Sequence, residues 1–384
     1  MKTGPRVKNP IRTILVAFCL LFPVIAWPLS GDADVSDPAN LLRLVGNAMT
    51  GAPLDFCGEP VPLDNPEIRE RLEREMLLAL WNRPQVIFLL NQYGRYMPHI
   101  EKMLKDSAMP DDLKYMVIIE SSLKHYAVSP KGATGFWQFM APTGSRYGLT
   151  ITQDRDERRN VFASTTAAIR YLKSLYGMLH SWTLAAAAFN MGEEGLKTEI
   201  LIQKVSDYYK LYLPVETQRY VFRIISAKLI LSKPEKYGFL PVKEQSQIPP
   251  DRIELTCSQR VPLQIVAEAA KTYFKVIKEL NPEIRGYYLS QGSHTLLIPG
   301  GAAAGFQDRY ETRLNKWLTE SKECLYTVKK GDSLSSLAAR FNVPLPALLV
   351  WNRLTSGKKP LVPGEKLVIY SNSAASQAKQ EKEQ

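Results

Sequence analysis

The chain has 384 residues, 45% of them hydrophobic, enough apolar material for a substantial core spread over two or three domains. Its formal net charge is +11, but Lys2, Arg6, Lys8 and Arg12 contribute to that surplus before any acidic residue occurs, so the remainder is only moderately basic. That balance suits an anionic polymer, and without a basic stripe interleaved with aromatics nucleic acid is not the partner expected. The cysteines fit no zinc spacing and the histidines form no HExxH-like group, so neither metal nor cofactor is expected.

Taken in chain order, residues 1–30 read as a signal peptide or an N-terminal anchor. A basic start precedes the apolar run Ile14 to Trp27, with a cleavage point near Ala26 or within Leu29 to Ala33. The run is slightly short of a bilayer span, so an uncleaved anchor is the alternative and the sole route to membrane association. Cys19 lies inside the run and does not look like an acylation site. Either way the chain is expected to be exported, to the periplasm or cell envelope. Residues 31–65, rich in Pro, Gly and Asp, predict a loosely ordered lead-in.

Residues 66–240 predict an all-α domain. Apolar positions recur with helical spacing through Leu72 to Leu90, Ile100 to Leu104, Ala163 to Leu179, Trp182 to Phe189 and Tyr220 to Leu231. Asp111 is placed to cap a helix ending near Glu120, along which Leu113, Met116 and Val117 form an apolar stripe. Glu120 continues that stripe. Lost hydration and the negative end of the helix dipole both raise the pKa of a carboxyl there, as a general acid at neutral pH requires. A frayed helix end turning the side chain to water is the bland alternative. The following segment interleaves Gly132, Gly135 and Gly144 with Phe136, Trp137, Gln138 and Phe139, a pattern that serves a sugar cleft or a packed core equally well.

Beyond the Pro-containing stretch at 241–250, residues 251–300 and 324–371 each read as strand, helix, helix, strand. Leu263 falls on Leu334, Ala267 on Ala338, Asn281 on Asn352, and Leu296 and Ile298 on Leu367 and Ile369 at one constant offset, which predicts a duplicated module. Cys257 and Cys324 could pair in an oxidising compartment. Residues 372–384 have the composition of a disordered tail.

The ordered motifs Glu120-Ser121, Ser129, Gly132-Ala133, Gly135 to Met140, Thr143-Gly144, Tyr147 to Leu149, Asp156 to Arg158, Ala188 to Gly192 and Leu213 to Thr217 together resemble the lytic transglycosylases of the goose-lysozyme-like clan. The nearest likeness is to the membrane-bound lytic murein transglycosylase D group. The resemblance implies a mostly α, lysozyme-like catalytic domain with Glu120 as the single acid/base. Ser121 would steady that carboxylate or the cleft. Ser129, Gln138, Met140, Phe189 and Asn190 would line the sugar sites, with Glu216 and Tyr220 closing the far wall. Phe189 departs from the usual tyrosine, Leu123 and His125 replace an aromatic and a proline, and Pro142 is shifted by a place; these bear on substrate fit rather than on proton chemistry. Tyr326 to Val328, Gly331 to Leu334, Trp351-Asn352 and Pro363 to Leu367 resemble LysM, which implies N-acetylglucosamine binding by Gly331, Asp332, Ser333 and Asn352. Residues 251–300 lack the Gly-Asp-Ser loop and read as a diverged copy. The implied activity is non-hydrolytic cleavage of the MurNAc–GlcNAc bond of peptidoglycan to 1,6-anhydro ends. The alternatives are a goose-type hydrolase or a non-catalytic wall-binding protein.

Overall fold

The structure is a computed structural model that describes residues 38–50, 53–240, 249–320, 323–352, 354 and 361–370. The signal or anchor at 1–30 and the tail at 372–384 lie outside the described residues. Among the described residues no single helix is long and apolar enough to cross a membrane.

The described part of the lead-in, residues 38–50 and 53–65, is not loose. Helix α1 (Pro38–Met49) and the hairpin β1 (Asp55–Phe56) and β2 (Glu59–Pro60) bury Leu41, Val45, Met49, Phe56 and Val61 in the same core as the helices that follow. Composition hid this because the ordering comes from distant partners. Asp112 accepts from the Cys57 amide at 2.7 Å and from Lys228 Nζ at 2.7 Å, tying the hairpin to the helical domain that follows.

The helical domain then runs α2 (Pro66–Trp81), α3 (Arg83–Asp106), α4 (Lys114–Ser121), α5 (Ala141–Arg146), α6 (Val161–Leu179), α7 (Trp182–Met191), α8 (Glu193–Gln203) and α9 (Val215–Ser232). Helix α9 is the central packing element, lying against α2, α4 and α7. Asp111 does not cap α4. It opens a short 3-10 turn, Asp111–Leu113, and its carboxylate receives Lys114 Nζ at 2.7 Å instead. A better cap sits elsewhere: Glu59 accepts from the amides of Trp182 and Thr183 at the start of α7, where a carboxylate satisfies orphan donors and complements the dipole.

The first C-terminal module comprises β3 (Asp251–Cys257), β4 (Val261–Pro262), α10 (Leu263–Ala269), α11 (Phe274–Leu280), β5 (Tyr288–Leu289) and β6 (Gly292–Ile298), with β3 antiparallel to β6. Helix α12 (Phe306–Glu320) extends it past residue 300, because Phe306 and Tyr310 complete its core. The second module is β7 (Glu323–Thr327), α13 (Leu334–Arg340), α14 (Leu345–Trp351) and β8 (Lys366–Tyr370).

The duplication is visible in one repeated device. Asn281 donates to the carbonyls of Ile277 and Leu297 and accepts from the Leu297 amide, all at 2.8 Å. Asn352 makes the same three bonds to Leu348 and Val368, at 2.6–2.9 Å. The gapless superposition fails only at the first strand. Ile253 faces Leu296, whereas Leu367 faces Tyr326 instead of Cys324. A slip by two positions keeps every side chain on its own face, so the pattern survives it. Cys257 is free and buried, its Sγ 3.8 Å from the Tyr310 hydroxyl, while the side chain of its expected partner Cys324 lies outside the described residues.

Candidate active site

Glu120 sits in the last turn of α4, which ends at Ser122 in the left-handed conformation. The residue is half-buried, and α9 brings Tyr220 against it so that the phenol donates to Oε1. Burial raises the Glu120 pKa to about 7; the Tyr220 hydrogen bond and the charge of Arg223 pull the other way, and Glu216 adds to the rise. The carboxyl therefore exchanges its proton near neutrality. Tyr220 is itself buried and its own pKa pushed well up, which keeps it a donor. Arg223 escaped notice in the sequence. Its signal was helical spacing, one turn beyond Tyr220 on the helix that also carries Glu216.

The expected lining residues divide into groups. Asn190, at the end of α7, accepts from Thr217 Oγ1 at 2.8 Å, which links the ends of α7 and α9 beside Tyr220. Glu216 is exposed on the rim, and Met140 is exposed at the end of the Gly-rich loop. Phe189 is partly buried, with its ring 5.3 Å from Tyr171 and 5.8 Å from Phe139. Ser121 does not hold the Glu120 carboxylate; it is buried and donates back to the Val117 carbonyl at 3.2 Å. Ser129 shapes its loop, accepting from the Ala133 amide at 3.0 Å. Gln138 spends its amide on the carbonyls of Ala127 and Gly135, at 3.2 and 2.8 Å. The aromatics are core, not cleft: Phe136, Trp137 and Phe139 are all buried, and Trp137 Nε1 donates to Thr165 Oγ1 at 3.0 Å.

What shapes the loop is Arg158. It grips Asp156 through two bonds of 2.8 Å and gives NH1 to the carbonyls of Gly132 and Phe139, at 3.1 and 3.0 Å. Gly135 serves this contact rather than a ligand. With φ of +82°, it lies so close that a Cβ would come within 1.9 Å of the Arg158 carbonyl oxygen. The Asp156 grip matters because a buried guanidinium needs a paired carboxylate.

In the second module Asp332 accepts from the Tyr326 hydroxyl and the Lys329 amide at 2.7 and 2.6 Å, which lowers its pKa, the Lys329 bond contributing most. Ser333 caps α13, and Gly331 takes a positive φ in the same loop. Asn352 is committed to its backbone clamp, which removes its side chain from the expected glycan contacts.

Residues 97–211 match the transglycosylase SLT domain family and residues 326–369 the LysM domain family. Membrane-bound lytic murein transglycosylase D of Escherichia coli strain K12 is 32% identical over 335 residues, covering 83% of this chain and 73% of that protein. The chain belongs to the lytic murein transglycosylase D family. The same protein of Escherichia coli O6:H1 matches to the same extent. An inactive-mutant structure of the lytic transglycosylase Slt from Pseudomonas aeruginosa aligns with a TM-score of 0.29 at 14% identity, over 52% of this chain and 38% of that one. As a family member this chain is a lytic transglycosylase, mostly α, with an SLT domain and a LysM domain of βααβ form.

Proposed function

We propose that this transglycosylase cleaves the MurNAc–GlcNAc β-1,4 bond of peptidoglycan with Glu120 as sole acid and base. The observation that carries the reading is the half-buried Glu120 carboxyl, held by Tyr220 and titrating near pH 7. Protonated Glu120 gives its proton to the bridging oxygen as the C1–O bond breaks. The substrate's N-acetyl group shares the positive charge, so a second enzymic carboxylate is not required. Glu120, now ionised, takes the proton of the C6 hydroxyl as that oxygen attacks C1 and closes the 1,6-anhydro ring. The enzyme returns to its starting protonation and no water is consumed. A pKa near neutrality lets one group serve both steps.

Asn190, Glu216, Met140 and Phe189 border the sugar, while Ser129 and Gln138 act by shaping the loop and Ser121 by locking the end of α4. The LysM loop of Gly331, Asp332 and Ser333 holds N-acetylglucosamine chains and concentrates the enzyme on the wall. The chain works in the cell envelope, and its N-terminal segment directs export or anchors it there.

Glu120→Gln keeps the shape and removes the proton. It is expected to lower the release of anhydromuropeptides from purified sacculi by about 10³-fold or more, read by mass spectrometry. Reducing ends from the unaltered enzyme would instead identify a hydrolase, and undiminished lysis by the variant a different catalyst.

A further inference from the structure

A pocket of about 350 Å3 opens where the catalytic domain meets the first C-terminal module, and both sides give it cations. The two bodies are joined there by backbone pairing: the Asp156 amide donates to the Glu283 carbonyl at 2.8 Å and the Arg285 amide to Asp154 at 2.7 Å. Arg159 comes from the catalytic side, with the His125 imidazole beside it, and Lys275, Lys278 and Arg285 come from the module. Among the pocket's lining residues the one carboxylate is Glu279, already 3.5 Å from Lys275.

The cations are not used up by the protein. Arg159 Nε is buried without a hydrogen-bond partner among the described residues, an unusual state for a guanidinium. Lys278 donates to the carbonyls of Ile284 and Gly286, and an ammonium has a third proton to give. Burial holds the His125 pKa down and the charges of Arg159 and Arg95 hold it lower still, with Glu279 opposing. Lys278 is lowered by burial and by Arg159, with the buried Glu283 opposing. Arg159 thus disfavours positive charge on both His125 and Lys278, and an incoming anion would offset that crowding.

The pocket also stands in a telling place. His125 lies on the segment that leaves Glu120, and its ring is 6.4 Å from Phe136 in the loop gripped by Arg158. Peptidoglycan carries short peptide stems on alternate sugars, and those stems bear carboxylates. We propose that this interdomain pocket binds a carboxylate of the glycan's peptide stem, so that the first module selects stem-bearing glycan. The proposal rests on the transglycosylase reading above and deepens it. It also gives the diverged module, which lacks the Gly-Asp-Ser loop, a recognition task of its own.

The test uses the full chain, with Lys275→Gln/Arg285→Gln as the main variant, because the Lys275 side chain is 82% exposed and its loss spares the core. Arg159→Gln and Arg159→Lys form a second series, with melting curves confirming that each folds. Stem peptide released from sacculi by an amidase is titrated calorimetrically, alongside inorganic phosphate. Kinetics are run on stem-bearing glycan and on the same glycan stripped of stems. The double variant is expected to weaken peptide binding about tenfold and to raise KM on stem-bearing glycan to a similar degree. Its kcat, and its KM on stripped glycan, are expected to stay within about twofold of the original, and Arg159→Lys to retain more binding than Arg159→Gln. Equal changes on both glycans, no change on either, or phosphate binding as tightly as peptide would each overturn the stem assignment. Failure of the unaltered enzyme to make anhydro ends would sink the transglycosylase reading, while the peptide titration would still decide whether the pocket binds stems.

Discussion

The raised pKa that the proposed mechanism draws on at Glu120 carries a structural cost. The Glu120 pKa is 4.5 in the free side chain and about 7 in the folded protein. Below pH 4.5 both folded and unfolded chains hold the proton, and the group does not discriminate between them. As pH climbs from 4.5 through 7 the unfolded chain releases the proton first, so stability is lost across that window and stays lost above it. At pH 8 the penalty is about 3 kcal/mol. Glu120→Gln is therefore expected to melt several degrees higher than the original enzyme at pH 8 and at nearly the same temperature at pH 4, as scanning calorimetry would show. An unaltered difference between the two pH values would mean that Glu120 is solvated in the folded chain. This residue was legible in the sequence because a carboxyl on an apolar stripe has few reasons to be there. The roles of Ser121 and Gln138 were not, since motif order says nothing of where a hydroxyl or an amide finds its hydrogen bonds.

At the scale of elements, the loop from Gly132 to Met140 owes its shape to Arg158 and Gly135 pressing against each other. Gly135→Ala places a methyl group inside the Arg158 carbonyl and forces an L-residue into positive φ. It is expected to destabilise the domain by about 2–4 kcal/mol and to cut activity at least tenfold, measurable by urea denaturation and turnover. Helical periodicity made α2, α3, α6, α7 and α9 readable. Two things stayed hidden. The aromatics of the loop had spacing compatible with cleft or core, and only three-dimensional packing puts Trp137 against Thr165. Helix α1 and its hairpin were hidden by composition, because their order is supplied by Asp112, Lys228 and the core at long range.

Over the whole molecule, the two C-terminal modules share a construction but differ in how they are attached. The Asn281 and Asn352 clamps are the same, but the first module is joined to the catalytic domain and the second has a small core of its own, with Leu337, Leu348 and Ile369. Removing residues 323–370 is expected to leave kcat on short soluble glycans within about twofold and to lower the rate on insoluble sacculi by roughly 10- to 100-fold, through lost local concentration. Turnover on the two substrates, compared side by side, checks this. Equal loss on both would make the second module part of the catalytic body. The strand, helix, helix, strand order of both C-terminal segments could be read from sequence; the joint to the helical domain could not, because backbone pairing of Asp154 to Asp156 with Glu283 to Arg285 leaves no mark in side-chain pattern.

That joint has a mechanical corollary. Asp156 is at once a backbone partner of the first module and the carboxylate that holds Arg158. Arg158 in turn holds the carbonyls of Gly132 and Phe139. Through one aspartate the first module and the loop therefore form a single mechanical unit, so a strain applied to either is borne by the other.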